Sequence, residues 1–250
     1  MTQHLYLLTG SSRGMGMALA RQLLQPGHTV IGLARTPNAG LAAPAGGALE
    51  QWATDLARPE QAAEQLRAWL AAQDPARFAS ATLINNAGVI PRLEPLSASS
   101  PADVQNALRV GLEAPMLLTA AFLGATEGWG ALPRKVLNIS SGLGRRAQAS
   151  QAAYCAAKAG MDHFTRCVAL DEAGKPHGAK VCSLAPGVID TDMQAQLRGA
   201  DPTAFPDAAS FARLKADGLL TSPEDAAARV LAWLRRADFG AQPVADVREG

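Results

Sequence analysis

Between an apolar run, His4–Leu8, and an amphipathic stretch, Gly14–Gln25, the chain places Thr9-Gly10-Ser11-Ser12-Arg13-Gly14-Met15-Gly16. This order of strand, glycine-rich loop and helix constrains the fold more than any other feature. Glycine admits positive φ and lets another backbone or a ligand come close. The helix start behind the loop offers unpaired N–H groups and a partial positive charge, which suit a pyrophosphate. The spacing is Gly-x3-Gly-x-Gly rather than Gly-x-Gly-x-x-Gly, and a turn that merely packs a helix on a strand has the same composition. Gly10, Ser12, Arg13, Gly14, Met15 and Gly16 are therefore candidate cofactor contacts.

The rest of the chain repeats the alternation. Thr29–Ala34, Ala48–Ala53, Thr82–Ile84, Lys135–Ile139 and Ala179–Leu184 read as strands, and Pro243–Val247 as a final edge strand. Helical patterns cover Pro59–Gln73, Ser100–Leu123, Ser150–Ala173 and Ser222–Arg236, two of them opened by a Ser-Pro pair that suits a capped start. The segment from about Asp190 to Leu220 lacks this rhythm. Strands alternating with helices predict parallel strands with right-handed crossovers. The expected fold is α/β, a single Rossmann-type domain over residues 1–250, with a doubly wound parallel sheet of about seven strands and helices on both faces.

Composition excludes several function classes. With 250 residues the chain is long enough for one full core. Hydrophobic residues make up 48%, charged residues 18%, and the net charge is +1, so neither nucleic acid nor a membrane is an expected partner. No run reads as a signal peptide or as the roughly 18 apolar residues of a membrane span. Cys155, Cys167 and Cys182 lie far apart with no metal-ligand spacing. The expectation is a cytoplasmic protein without disulfides or a metal.

An NAD site usually carries an acid about 20 residues beyond the glycine loop, bonding the ribose 2′-hydroxyl. Here the second strand ends Leu33-Ala34-Arg35-Thr36. A 2′-phosphate is repelled by a carboxylate and bound well by a guanidinium. Arg35, with Arg13 as a second cation, points to NADP(H).

Tyr154 and Lys158 are four apart on one predicted helix and so share a face. A phenol has an ordinary pKa of about 10. A nearby ammonium favours the phenolate and brings it toward proton transfer near neutrality. Such a pair is also common on helix surfaces. Ser140 and Ser141 follow the strand Lys135–Ile139, at the sheet edge where ligands bind in such folds.

Taken together these motifs resemble the short-chain dehydrogenase/reductase family. They come in the family's order: Thr9–Gly16, Asp55-Leu56, Asn85-Asn86-Ala87-Gly88, Asn138–Ser141, Tyr154-x3-Lys158, and Pro186-Gly187 leading to Thr191. The resemblance implies roles. Tyr154 is the general acid or base, Lys158 binds the nicotinamide ribose and lowers the Tyr pKa, and Ser141 orients the carbonyl. Asp55 and Leu56 flank the adenine. Asn86, Ala87 and Gly88 line the adenosine side. Pro186, Gly187, Ile189 and Thr191 surround the nicotinamide. The implied activity is reduction of a small-molecule ketone, vicinal dicarbonyl or pteridine-like carbonyl with NADPH. The ending Val244–Gly250 resembles the sepiapterin reductase and benzil reductase branch. The family also associates through the helices corresponding to Ser100–Leu123 and Ser150–Ala173, which implies a homodimer or homotetramer.

One departure stands out. The family usually places an Asn in the long central helix, where this chain has Gly111, in Arg109-Val110-Gly111-Leu112. Asn106, five residues earlier, does not share its direction. A mid-helix glycine costs roughly 1 kcal/mol against alanine, so it marks a kink or bulge. This keeps open a second reading, an NADP(H)-binding regulatory or scaffold protein with weak or lost catalysis. The segment of about 190–220 corresponds to the family's substrate lid, and Arg145 and Arg146 stand in the loop expected to line the pocket.

Overall fold

A computed structural model describes residues 3–249. Met1, Thr2 and Gly250, which belong to the first and last segments read above, lie outside the described residues. The strands are β1 (Gln3–Thr9), β2 (His28–Ala34), β3 (Ala48–Ala53), β4 (Phe78–Asn85), β5 (Arg134–Ile139), β6 (Lys180–Ala185) and β7 (Val244–Asp246). The main helices are α1 (Gly14–Leu23), α2 (Pro59–Ala71), α3 (Pro101–Leu108), α4 (Ala114–Thr126), α5 (Ala152–Ala173), α6 (Asp192–Arg198), α7 (Ala208–Ala216) and α8 (Pro223–Arg235).

The seven strands form one sheet in the order β3-β2-β1-β4-β5-β6-β7, and every pairing is parallel. This is the doubly wound fold. Its order reverses between β1 and β4, and ligands of such sheets bind outside the carboxyl ends of the strands at that point.

The apolar strands explain the two layers. Parallel strands covered on both faces read as near-continuous hydrophobic runs, and β1, β2 and β4 do so. On one face α1 and α8 pack Leu19, Leu23, Val230 and Leu231 onto Leu8, Ile84 and Leu184. On the other α2 and α4 pack Leu66, Leu70, Leu118 and Phe122 onto Leu5, Leu7 and Val136. Each such side chain, fully buried, contributes roughly 1.5–3 kcal/mol. Helix starts follow local chemistry: the Ser100 hydroxyl accepts from Asp103 N at the head of α3, and Ser222 accepts from Asp225 N at the head of α8.

The long central helix is interrupted, as Gly111 led us to expect. Arg109–Glu113 forms a π-turn between α3 and α4, with Ala114 N–H bonded to the Arg109 carbonyl. Pro115, with no N–H, cannot close the ordinary bond to the Gly111 carbonyl, so glycine and proline together open the turn. A Cβ on Gly111 would lie 3.0 Å from Ala157 Cβ. Here the π-turn packs on α5 so tightly that an added side chain would push the two apart by a few tenths of an ångström. The continuous stretch Pro101–Trp129 is long and apolar enough to cross a membrane by length and hydropathy alone. No such run stood out in the sequence. Half of its most apolar window is buried inside the protein.

Two differences from the sequence reading bear on the cleft. The helix expected from Ser150 begins at Ala152, because Ser150 adopts φ +61° and its hydroxyl donates to the Ala204 carbonyl at 2.6 Å. The segment of about 190–220, without a clear pattern in the sequence, contains α6 and α7.

Candidate active site

The glycine loop is shaped by contacts that leave no room for side chains. Gly10 has φ +70°, and a Cβ there would lie 3.0 Å from Ala87 Cα. A Cβ on Gly16 would overlap the Gly10 carbonyl oxygen outright. The loop is held from below by Asn86, whose Nδ2 donates to the Thr9 carbonyl at 3.0 Å. The Thr9 hydroxyl accepts from Asn86 N at 2.9 Å and Ala87 N at 3.0 Å. The first turns after β1 and β4 are thus stitched together at the switch point. Thr9 carries this link, although its role was not evident from the motif alone.

The loop forms one end of a cleft of about 930 Å³. Every catalytic or cofactor-contact candidate lines it: the loop glycines with Ser12, Arg13 and Met15, then Arg35, Asp55, Leu56, Asn86, Ala87 and Gly88. Ser141, Tyr154, Lys158, Pro186, Gly187, Ile189 and Thr191 complete the wall. No side-chain cap occupies the head of α1. Arg35 is exposed, just beyond buried Ala34, and forms no ion pair among the described residues. Arg13 pairs with Asp192 of α6 at 3.4 Å, with both side chains largely exposed. A glycine cradle at a helix N-terminus, with two cations nearby and no acid at the end of β2, suits the phosphates of a dinucleotide.

At the other end, α5 presents Tyr154 and Lys158, which are 9% and 4% exposed. Lys158 Nζ donates to the Ile139 carbonyl at 2.7 Å and lies 5.8 Å from the Tyr154 ring centre. Burial pushes the Tyr154 phenol up to about 12, with the Ser141 hydroxyl pulling it part of the way back. Burial pushes Lys158 down to about 8, against the pull of Asp162. At neutral pH the phenol therefore holds its proton and the amine is mostly charged. Ser141 Oγ accepts from Leu143 N at 3.2 Å, capping the short turn Gly142–Gly144.

Several placements sharpen or correct the sequence reading. Asn106 and Val110, one turn apart on α3 and the π-turn, line the cleft, whereas Gly111 packs on α5. Arg146 lines the cleft. Arg145, expected in the pocket, turns inward to Asp162. Gln151 and Gln194 were passed over in the sequence because carboxamides read as surface residues. They are 1% and 3% exposed, line the cleft, and have no hydrogen-bond partner for either amide atom. Among the described residues no His, Cys, Asp and Glu group is arranged to hold a metal ion.

Residues 4–202 match the family model described as short chain dehydrogenase. The chain is 34% identical over 240 residues to the benzil reductase ((S)-benzoin forming) of Bacillus cereus, covering 93% of this chain and 94% of that protein. It is 32% identical to the sepiapterin reductase of Meriones unguiculatus, covering 93% and 92%. The crystal structure of a metagenomic short-chain oxidoreductase in complex with NADP superposes with a TM-score of 0.68 at 26% identity, covering 98% of this chain and 95% of that one. The chain belongs to the short-chain dehydrogenase/reductase family and is an oxidoreductase of its benzil reductase and sepiapterin reductase branch.

Proposed function

We propose that this protein reduces the carbonyl of a small molecule, a vicinal dicarbonyl in the first instance, with NADPH. The observation that carries the reading is the convergence of Ser141, Tyr154 and Lys158 on the same cleft as the glycine loop. When bound, NADPH supplies a hydride to the carbonyl carbon. The loop N–H groups and the head of α1 hold the pyrophosphate, and Arg35 with Arg13 holds the 2′-phosphate. Ser141 Oγ donates a hydrogen bond to the carbonyl oxygen. Tyr154 Oη, protonated at neutral pH because burial raises its pKa, gives that oxygen its proton. The Lys158 ammonium steadies the phenolate left behind.

The choice of NADPH over NADH draws on the acid-free end of β2 and on the NADP complex of the structural relative. The choice of a vicinal dicarbonyl draws on the two benzil reductases of Bacillus, both about one-third identical to this chain. Gly111, which offers no side chain where the family has an Asn, favours a second reading in which the cofactor is bound but turnover is lost.

A Tyr154→Phe variant separates these. General acid catalysis is worth about 10²–10⁴-fold, so benzil reduction by NADPH falls by about 10³-fold while NADPH affinity stays within about threefold. Unchanged turnover in the variant would overturn the assignment of Tyr154. Absence of turnover in the unmodified protein across dicarbonyls and quinones, with tight NADPH binding, would favour the second reading.

A further inference from the structure

Asp162 stands four residues after Lys158 on α5, on the same face one turn along. It is 2% exposed, and a buried carboxylate is costly unless its lone pairs are met. Oδ1 accepts the Ser140 hydroxyl at 2.5 Å and the Ser183 hydroxyl at 2.7 Å. Oδ2 accepts no hydrogen bond and lies 3.7 Å from Arg145 Nε. Arg145 also donates to the Ala245 carbonyl of β7 at 3.2 Å. The turn Gly142–Gly144 closes directly over this carboxylate. A Cβ on Gly144 would sit 2.9 Å from Oδ2 and 3.0 Å from the Lys158 carbonyl oxygen, so only glycine lets the turn pack this closely.

The segment that carries Ser141 is therefore gripped on both sides. Before Ser141, the Ile139 carbonyl accepts Lys158 Nζ and the Ser140 hydroxyl donates to Asp162. After it, Gly144 packs on the carboxylate and Arg145 pairs with it. Asp162 bonds Ser140, lies under Gly144 and pairs with Arg145, and α5 supplies both the carboxylate and the ammonium.

We propose that Asp162 is a positioning residue for the proton-transfer pair: its carboxylate locks the Ser141 turn onto α5 and acts as the buried counter-charge of Lys158, while Arg145 sets how much of that charge Lys158 feels. This rests on the reading of Tyr154 and Lys158 as that pair. The titratable and charged groups facing the site are few. Tyr154 shares the helix with Lys158, and Arg145 comes from the turn. Cys182 comes from β6, its thiol pushed up to about 12 chiefly by burial, with Asp162 adding to the effect. Behind Arg145, Asp246 is paired with Arg248 on the sheet edge. Asp162, one helical turn along α5, is thus the one anion that acts on Lys158, and among the described residues its own ion-pair partner is Arg145.

The two substitutions that remove one charge each act in opposite directions. In Asp162→Asn the Lys158 ammonium loses its counter-charge. In Arg145→Gln the carboxylate is left less neutralised and attracts the ammonium more. Lysine labelled with ¹³C at Cε, followed by NMR across pH in the intact protein, reads this without any substrate. The Lys158 midpoint falls by about one pH unit in Asp162→Asn and rises by about half a unit in Arg145→Gln, in keeping with the shifts produced by nearby charges. In benzil reduction by NADPH, the high-pH limb follows loss of the Lys158 ammonium, the first of the pair to titrate, so it moves down in Asp162→Asn and up in Arg145→Gln. Ser140→Ala removes one hydroxyl and no charge, so it lowers kcat and leaves both midpoints in place.

Midpoints that stay put in both charge variants, or that move the same way, would overturn the proposal. Arg145 is partly exposed, so Arg145→Gln still decides the question should Asp162→Asn fail to fold. Full turnover in Tyr154→Phe would instead remove the proton-transfer reading and leave the Lys158 titration standing as the test of Asp162.

Discussion

In the loop between β1 and α1 the chain path is dictated by backbone. Gly10 and Gly16 approach neighbouring main-chain atoms too closely for any Cβ, and Thr9 and Asn86 bond main-chain groups from below. In α6 and α7, which cover another part of the cleft, the path is dictated by side chains. Phe205 is fully buried and packs on Phe211 at 5.6 Å between ring centres. Asp190 is held by Lys215 at 2.5 Å and Arg198 at 3.2 Å, and Asp207 accepts from Gln148. The first kind of structure tolerates almost no substitution. The second rests on side-chain packing and ion pairs that can be rebuilt residue by residue.

The largest effect that tests this contrast comes from the loop. Gly16→Ala forces Gly10 or α1 to shift, because the added carbon would overlap the Gly10 carbonyl. NADPH affinity, followed by fluorescence titration, falls by about 100-fold, roughly 2.7 kcal/mol. Affinity within threefold of the unmodified protein would mean that the loop is not the cradle.

A smaller effect concerns the cation that no backbone rule demands. A hydrogen bond to a charged group is worth about 1.5–3 kcal/mol, so Arg35→Ala weakens NADPH by about 30-fold and leaves NADH nearly unchanged. Equal losses for both cofactors would remove Arg35 from the 2′-phosphate site.

What the sequence revealed follows the same division. The β1 loop, the acid-free end of β2 and the Tyr154–Lys158 spacing were legible, because each depends on local geometry: positive φ, helix periodicity, a fixed number of residues from a strand. The opening at Gly111 was legible too, although its cause needed Pro115 and the missing bond to its carbonyl. By contrast α6, only seven residues long, and α7, mostly exposed, carry no pattern of their own and form because tertiary contacts hold them. Gln151, Asp162 and Gln194 were invisible for a related reason. Polar residue types predict exposure, and only the packing of α5 and α6 against the sheet edge and the cleft buries them. Arg145 reversed direction for the same cause, since a buried carboxylate outcompetes solvent for it.

The smallest effect belongs to the segment of α6 and α7. In Phe205→Ala the cluster with Leu197 and Ala208 loses its central ring. Large-to-small changes in a core cost about 3–5 kcal/mol, but here the loss is confined to a peripheral element. The KM for benzil rises about 10-fold in steady-state kinetics, with NADPH affinity unchanged, as expected where binding energy is lost from one end of a site. A parallel fall in NADPH affinity would show that the two ends of the cleft are not separable.

Deuteride transfer reads the proposed chemistry most directly. Benzil is incubated with the protein and NADPH carrying deuterium at both C4 positions, and the product is analysed by mass spectrometry. The expected product is benzoin carrying one deuterium on its carbinol carbon, formed at a rate that Tyr154→Phe suppresses. Benzoin without deuterium, or no product from a protein that binds NADPH tightly, would contradict hydride transfer from the cofactor to a carbonyl at this site.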